Sequence, residues 1–316
     1  MILAYLLLAI MIILWSFNFI MVSFAVGYVP VLSLSLYRFV IASLSFLILD
    51  IFTRRSNKPL NELKVVSHKI SKNNWILIIF ASFIGQSFYF VTLYGAVALI
   101  GPSLPALIVC LLSPVIIAVF ALLFFDEHLN KTMIIGFIIA TVGGILLVTG
   151  GDPSNLAVDS PNFLGYFFAI LTPFQWAIYT TLTKKINKTC STLSTLKYTT
   201  YLGTIELFLF VLIMGELPIF IMNILNPVVL LVALYIGFVC HAVGYYIYQY
   251  SLKELKSSKV ASFLYIEPFI TLLFSFLFQI NETIVLWNIL GGVIVLLAVL
   301  LINKEEKTVI CVQINE

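Results

Sequence analysis

Residues 111–148, LLSPVIIAVFALLFFDEHLNKTMIIGFIIATVGGILLV, read as two apolar runs folded about one polar turn. Each run belongs to an apolar span of about 20 residues, the length at which a helix crosses a hydrocarbon core of roughly 30 Å. The turn from Asp126 to Lys131 gathers the charges that the runs lack. The plan returns in residues 266–301, IEPFITLLFSFLFQINETIVLWNILGGVIVLLAVLL. There Pro268 answers Pro114 at an offset of 154, while Glu282 answers Glu127 and Gly291 answers Gly136 at 155. A membrane hairpin used twice places the chain among all-α integral membrane proteins.

Outward from these hairpins, apolar spans fall near 2–23, 32–52, 74–95, 102–123, 132–150, 162–183, 196–214, 227–250, 260–279 and 284–302. Ten crossings put every connection on a definite side. The Lys and Arg residues number 17, and all but Arg38, which lies inside a span, then fall on one side. That side receives Arg54, Arg55, Lys58, Lys64, Lys69, Lys72, Lys131, Lys184, Lys185, Lys188, Lys197, Lys253, Lys256, Lys259, Lys304 and Lys307. Basic loops stay in the cytoplasm, so the expectation is a multi-pass cell-membrane protein with both termini inside. One helix more or fewer would scramble the sorting.

Composition agrees. Of 316 residues 62% are hydrophobic and 10% charged, where a soluble domain carries about a quarter charged. A formal charge of +3, held in the loops, suits anionic lipid head groups and gives no reason to expect nucleic acid. Cys110, Cys190, Cys240 and Cys311 have neither metal-ligand nor redox spacing, so no metal or cofactor is called for. The apolar start at Ile2, with no basic region before it, reads as the first membrane helix.

The two halves repeat. Trp15 matches Trp176 and Tyr37 matches Tyr198 at an offset of 161, and Tyr94 matches Tyr248 at 154. Repeat one spans 1–150, repeat two 162–303, and residues 304–316 form a cytoplasmic tail. Five helices is an odd number, so the second copy enters the membrane inverted. Inverted repeats are the usual architecture of secondary transporters, with the substrate near the midplane between the copies.

The segments LWSFNFIMVSFAV (14–26), SLYRFVIASLSFLIL (35–49) and WAIYTTLTKK (176–185), with the two hairpins, resemble the drug/metabolite transporter superfamily. The likeness is to its EamA-type members and covers roughly residues 5–303. It implies ten helices in two inverted EamA-like repeats, and export of amino acids, other metabolites or toxic compounds. Asp126 departs from the pattern, standing where many similar proteins carry Gly before the Glu.

A charge inside a span costs about 2.5–3.5 kcal/mol on insertion scales and needs a partner or a purpose. Arg38, Glu206, His241 and Glu267 are such residues. Helical rise places His241 and Glu267 at one level, each roughly 10 Å from the inner boundary, where they can form a proton-carrying pair. The alternative is that Glu267 serves the helix break at Pro268 and His241 a neighbouring helix. Arg38, which similar family members often carry, can bind a substrate carboxylate, pair with Glu206 or reach the outer head groups. Pro114 and Pro268 free the carbonyls of Cys110 and Leu264, and matched breaks in both halves point to a transport site. Trp15, Asn18, Gln86, Tyr89, Tyr94, Trp176, Tyr179, Tyr245 and Tyr248 complete the expected substrate cage. Aromatics also populate lipid interfaces, so part of this set is expected to serve there. Gly136, Gly143, Gly144, Gly291 and Gly292 suit close helix packing.

The leading reading is a secondary carrier of a small metabolite, alone or as a homodimer, and not an enzyme. A lipid-modifying membrane enzyme competes weakly, because the spans hold no carboxylate cluster or nucleophile–base pair. A non-transporting scaffold is the third reading.

Overall fold

A computed structural model describes residues 2–55, 70–100, 103–127, 129–152, 163–278 and 285–303. The tail 304–316, Cys311, Glu282 and the basic residues Lys58, Lys64 and Lys69 lie outside the described residues. Among the described residues all regular structure is helical. Ten long rods run α1 Ile2–Ala25, α2 Val31–Arg55, α3 Lys72–Ile100, α4 Ser103–Phe125 and α5 Lys131–Thr149 in the first half. The second half holds α6 Phe163–Ile186, α7 Thr192–Ile213, α8 Pro227–Glu254, α9 Ser257–Leu277 and α10 Leu286–Asn303, with a short helix Leu217–Met222 between α7 and α8.

Eight rods are long and apolar enough to cross a membrane; α5 is apolar over a shorter length, and α6 is more polar. The polar residues of α6 face inward, since Thr172, Gln175, Thr180 and Thr183 are buried while Phe163, Phe167 and Phe174 are exposed. That inversion of the soluble pattern is what a lipid solvent selects. This is a multi-pass membrane protein.

Helix ends follow local chemistry. Ser71, Asn130, Ser191 and Asn226 cap α3, α5, α7 and α8, each accepting a backbone N–H of the first turn. At the turn between α4 and α5, Asp126 holds a left-handed φ of 52°. That is a conformation glycine adopts without cost.

The halves interlock. Helix α1 packs on α8 and α9, and its counterpart α6 packs on α3 and α4. Helix α2 crosses α7, where the Ser43 and Thr204 hydroxyls meet at 2.7 Å. Helices α5 and α10 run antiparallel: Gly136 lies against Ile302, and Gly143 against Ile294 and the carbonyl of Gly291. One end of the bundle collects Lys184, Lys197 and Lys259; Lys197 bridges both oxygens of Asp50 at 2.5 and 2.6 Å. At the opposite end Glu216 accepts the Ser33 N–H and hydroxyl at 3.1 and 2.8 Å.

Two features are invisible to hydropathy. Helix α3 opens into a π turn over Phe83–Ser87, and α8 does so over Tyr235–Gly244, which contains the matching positions. Glycine permits close approach at both: Gly85 lies against Tyr179, and a Cβ on Gly237 would stand 2.7 Å from the Arg38 carbonyl. Such turns inside helices often mark functional positions.

Candidate functional site

Between the halves lies a small cavity of about 40 Å³, room for roughly three water molecules. Its walls are Trp15, Asn18 and Phe19 from α1, Arg38 from α2, Tyr89, Phe90 and Leu93 from α3, and Val109 and Cys110 from α4. The second half adds Trp176, Tyr245, Leu264 and Glu267. All are buried. A larger cleft of about 760 Å³ opens at the basic end beside Asn74, Lys185, Lys188 and Ser191, but it lacks a buried unpaired charge.

Arg38 dominates one wall. Its Nη1 donates to Asn18 Oδ1 at 2.9 Å and to Tyr94 Oη at 2.8 Å, and its Nε donates to His241 Nδ1 at 3.3 Å. The guanidinium carbon sits 4.1 Å from the Phe90 ring centre. A guanidinium has five N–H donors; the two on Nη2 have no partner among the described residues, and neither does Arg38 have a carboxylate within ion-pair distance.

These bonds fix the state of His241. Nδ1 accepts from Arg38, so its proton resides on Nε2, which lies 3.0 Å from Thr200 Oγ1. The Thr200 hydroxyl donates to the Leu196 carbonyl at 2.7 Å and is free to accept from the ring. The imidazole is therefore neutral and positions Arg38.

Glu267 occupies another wall. Its Oε2 lies 3.5 Å from Cys110 Sγ, and its Oε1 has no partner among the described residues. The expected His241–Glu267 pair does not form, because equal depth on two helices does not make two side chains point at each other. Nor does Arg38 pair with Glu206. That carboxylate accepts from Ser82, just before the π turn of α3, and from Ser87 within it, at 3.1 and 2.5 Å.

The proline breaks border the cavity as their spacing suggests. Cys110 and Leu264, four residues before Pro114 and Pro268, both line it. The Leu264 carbonyl is not left free, however. Helix α9 tightens into a 3-10 turn over Phe263–Ile266, and the Glu267 N–H donates to Leu264.

Trp15, Asn18, Arg38, Tyr89, Trp176, Tyr245 and Glu267 thus share the cavity, while Tyr94 and His241 stand behind Arg38. The Trp15 and Trp176 rings meet edge to face at 5.5 Å, and Trp15 donates to the Cys240 carbonyl in the opened turn of α8. Gln86, Tyr179 and Tyr248 are not lining residues. Tyr179 Oη receives Gln86 Nε2 at 3.0 Å and Gln249 Nε2 at 2.6 Å. Gln86 also donates to Thr199 at 3.1 Å, and the Tyr248 hydroxyl meets that of Thr180 at 2.9 Å. This second network lies toward the basic end, where Asn187 donates to Gln249. Sequence reading missed Phe90, and of Cys110 it named the carbonyl and not the side chain. Helical spacing offered a signal for both: Phe90 stands four residues from Gln86 and Tyr94, and Cys110 four before Pro114.

The sequence matches the EamA-like transporter family over residues 2–149 and 163–304. The chain belongs to that family. It is 27% identical over 285 residues to the uncharacterized transporter YyaM of Bacillus subtilis (strain 168), covering 90% of this chain and 88% of that one. An uncharacterized transporter of Archaeoglobus fulgidus is 25% identical over 303 residues, with coverage of 96% and 98%. A solved crystal structure superposes with a TM-score of 0.68 at 16% identity, over 95% of this chain and 96% of the other. The EamA-like family and the names of these relatives describe transporters and not enzymes.

Proposed function

We propose that this EamA-like chain is a secondary transporter that exports small metabolites, amino acids among them, across the cell membrane by alternating access. In this reading ten helices form two inverted five-helix repeats with both termini in the cytoplasm. The observation that carries it is the placement of the cavity: both halves wall it, and every lining side chain is buried. A site walled by both halves is where alternating access places its substrate.

The contacts between halves support the inversion. Residues on a two-fold axis must meet their own counterparts. Trp15 meets Trp176 and Ser43 meets Thr204, both pairs separated by 161 residues. The antiparallel run of α5 on α10 has the same sense. The sorting of basic residues supports the orientation.

Coupling to a proton gradient is part of the proposal, and it falls to Glu267 once His241 is committed to Arg38. The titratable and charged groups sharing its cavity are Cys110 on α4, Tyr89 on α3, Arg38 on α2 and Tyr245 on α8. The test is flux of a pooled metabolite and amino-acid mixture in proteoliposomes, with and without a pH gradient. Selective movement that grows with the gradient is the expected result. Movement indifferent to it removes proton coupling and leaves the carrier; no movement across a broad panel from folded protein overturns the carrier.

A further inference from the structure

The exposed row of α3 changes step at the π turn. Before it, Ile76, Ile79, Phe80 and Phe83 are exposed, the i, i+3, i+4, i+7 face of a helix. Beyond it, short of the last two residues, exposure persists only at Phe88, Val91, Gly95 and Ala98, again at steps of three and four. Between Phe83 and Phe88 the step is five, and there the Phe88 N–H reaches back to the Phe83 carbonyl. A turn that holds one residue more than an α turn rotates everything beyond it by about 100°. An uninterrupted helix would carry the exposed row on to Ser87, Phe90 and Tyr94. All three are buried instead. Phe90 lies under the Arg38 guanidinium, and Tyr94 accepts from its Nη1. The turn therefore moves the residues that meet Arg38 from lipid to the cavity.

Glu206 closes on this turn from α7, in the other half. Its Oε2 takes the hydroxyl of Ser82, before the turn, and that of Ser87, its last residue. The same stretch of α7 offers the Thr199 carbonyl to Ser82 and the Gly203 carbonyl to Ser87, at 3.0 and 3.3 Å. The repeat shows that the fold does not require a carboxyl here. Helix α8 has its π turn at the matching place, but the counterpart of Glu206 is Ser45, whose hydroxyl donates to the Ile41 carbonyl of its own helix. Trp15 binds the α8 turn instead, through the Cys240 carbonyl. A carboxyl inside a span is costly and needs a purpose.

We propose that Glu206 is a positioning residue of the cavity between the halves. Its clasp holds α3 in the π form that turns Phe90 and Tyr94 away from lipid and onto Arg38. The proposal rests on the transporter reading only for what the cavity serves. Glu206 works as a hydrogen-bond acceptor and not as a counter-ion: its partners are two hydroxyls, and neither ion pair among the described residues includes it. Without the clasp α3 recovers the ordinary helical step, and its aromatic wall leaves the cavity.

The test reads the cavity through Cys110, one of its walls. In full-length protein with Cys190, Cys240 and Cys311 replaced by serine, the measurement is the rate at which a small thiol reagent labels Cys110. Glu206→Met removes the acceptor and should raise that rate at least about tenfold. Glu206→Gln keeps an oxygen for both hydroxyls and should stay within about threefold of wild type. Deleting Phe83, at the start of the turn, removes the extra residue and leaves both flanks in register. Added to Glu206→Met, the deletion should return the rate to that of wild type, a repair that a role in stability alone does not predict. A folded Glu206→Met protein with the wild-type rate overturns the proposal. Glu206→Gln as reactive as Glu206→Met makes charge the agent and overturns the acceptor role. A double variant that stays reactive or unfolds overturns the change of register. Should Glu206→Met not fold, Ser87→Ala removes the shorter of the two bonds and should raise the rate about threefold; an unchanged rate overturns the clasp. Labelling needs no substrate, so flux in proteoliposomes is judged separately. The expected labelling without flux sinks the carrier and keeps the clasp, and flux with labelling unmoved does the reverse.

Discussion

The Arg38 cluster and the Tyr179 cluster occupy matching places in the two halves and are built from different chemistry. The first joins Asn18, Arg38, Tyr94 and His241 from α1, α2, α3 and α8. Its counterpart positions are Tyr179, Thr199, Tyr248 and Ser87, on α6, α7, α8 and α3. There a neutral network of Gln86, Gln249, Tyr179 and Thr199 fills the space. The charged cluster borders the cavity; the neutral one does not. A repeated fold supplies two equivalent niches, and divergence lets one close the bundle while the other borders the cavity.

The largest effect should come from Arg38. Replacing it with Met removes a buried charge that costs several kcal/mol to hold without a counter-ion, and leaves the acceptors on Asn18, Tyr94 and His241 without their donor at about 1–3 kcal/mol each, so the two effects oppose each other. The expected outcome is transport reduced at least about a hundredfold, with a thermal midpoint close to that of wild type. A large fall in the midpoint, by fluorescence-monitored unfolding, would make the charged cluster structural and erase the contrast.

Tyr179→Phe should do the opposite. It strands the Nε2 donor of Gln249, at about 1–3 kcal/mol for a group left unsatisfied, and removes one of the two bonds of Gln86 Nε2, which keeps Thr199. Stability should fall by roughly 2–4 kcal/mol, more than for Tyr94→Phe, which removes a single bond to Arg38. If the two phenylalanine variants unfold at the same temperature, the clusters do not divide their roles in this way.

The charged-against-neutral contrast recurs at the ends of the bundle. Glu127 is buried, which by itself raises its pKa. A 2.7 Å bond and the charge of Lys184, with the amides of Ser257 and Ser258, outweigh that and hold it below its ordinary 4.5. A carboxylate with a lowered folded pKa contributes stability that is full above its unfolded value and disappears as pH falls through the folded one. The midpoint should therefore drop as pH is lowered below about 4.5, and Glu127→Gln should be less stable at pH 7 with a flatter profile. Parallel profiles for the two proteins would exclude Glu127 as the source.

Asp126→Gly should have the smallest effect. It relieves a left-handed residue away from both clusters and should add about 1 kcal/mol to stability with flux unchanged. A change in flux would show that the turn between α4 and α5 also enters the transport cycle.

Much of this was legible one dimension at a time. Apolar runs separated by charged turns announced the helices, and matched landmarks such as Trp15/Trp176 announced their pairing. The π turns at Phe83–Ser87 and Tyr235–Gly244 were not legible, because they answer packing between helices and leave no mark in hydropathy. For the same reason depth arithmetic failed for His241. It placed the ring level with Glu267, whereas rotation about α8 turned it to Arg38.

The sequence by itself determined the helical membrane class, the repeat and the residues whose charge demanded an explanation. Each of these follows from the length, polarity and order of single segments, which every segment satisfies against lipid or water on its own. Only the tertiary structure decided that Arg38 meets Asn18, Tyr94 and His241, that Glu206 belongs to Ser82 and Ser87, and that Arg38 and Glu267 share a cavity without touching. Those outcomes depend on the azimuth of each helix against its neighbours, a quantity fixed by close packing of all the rods together and carried by no single segment.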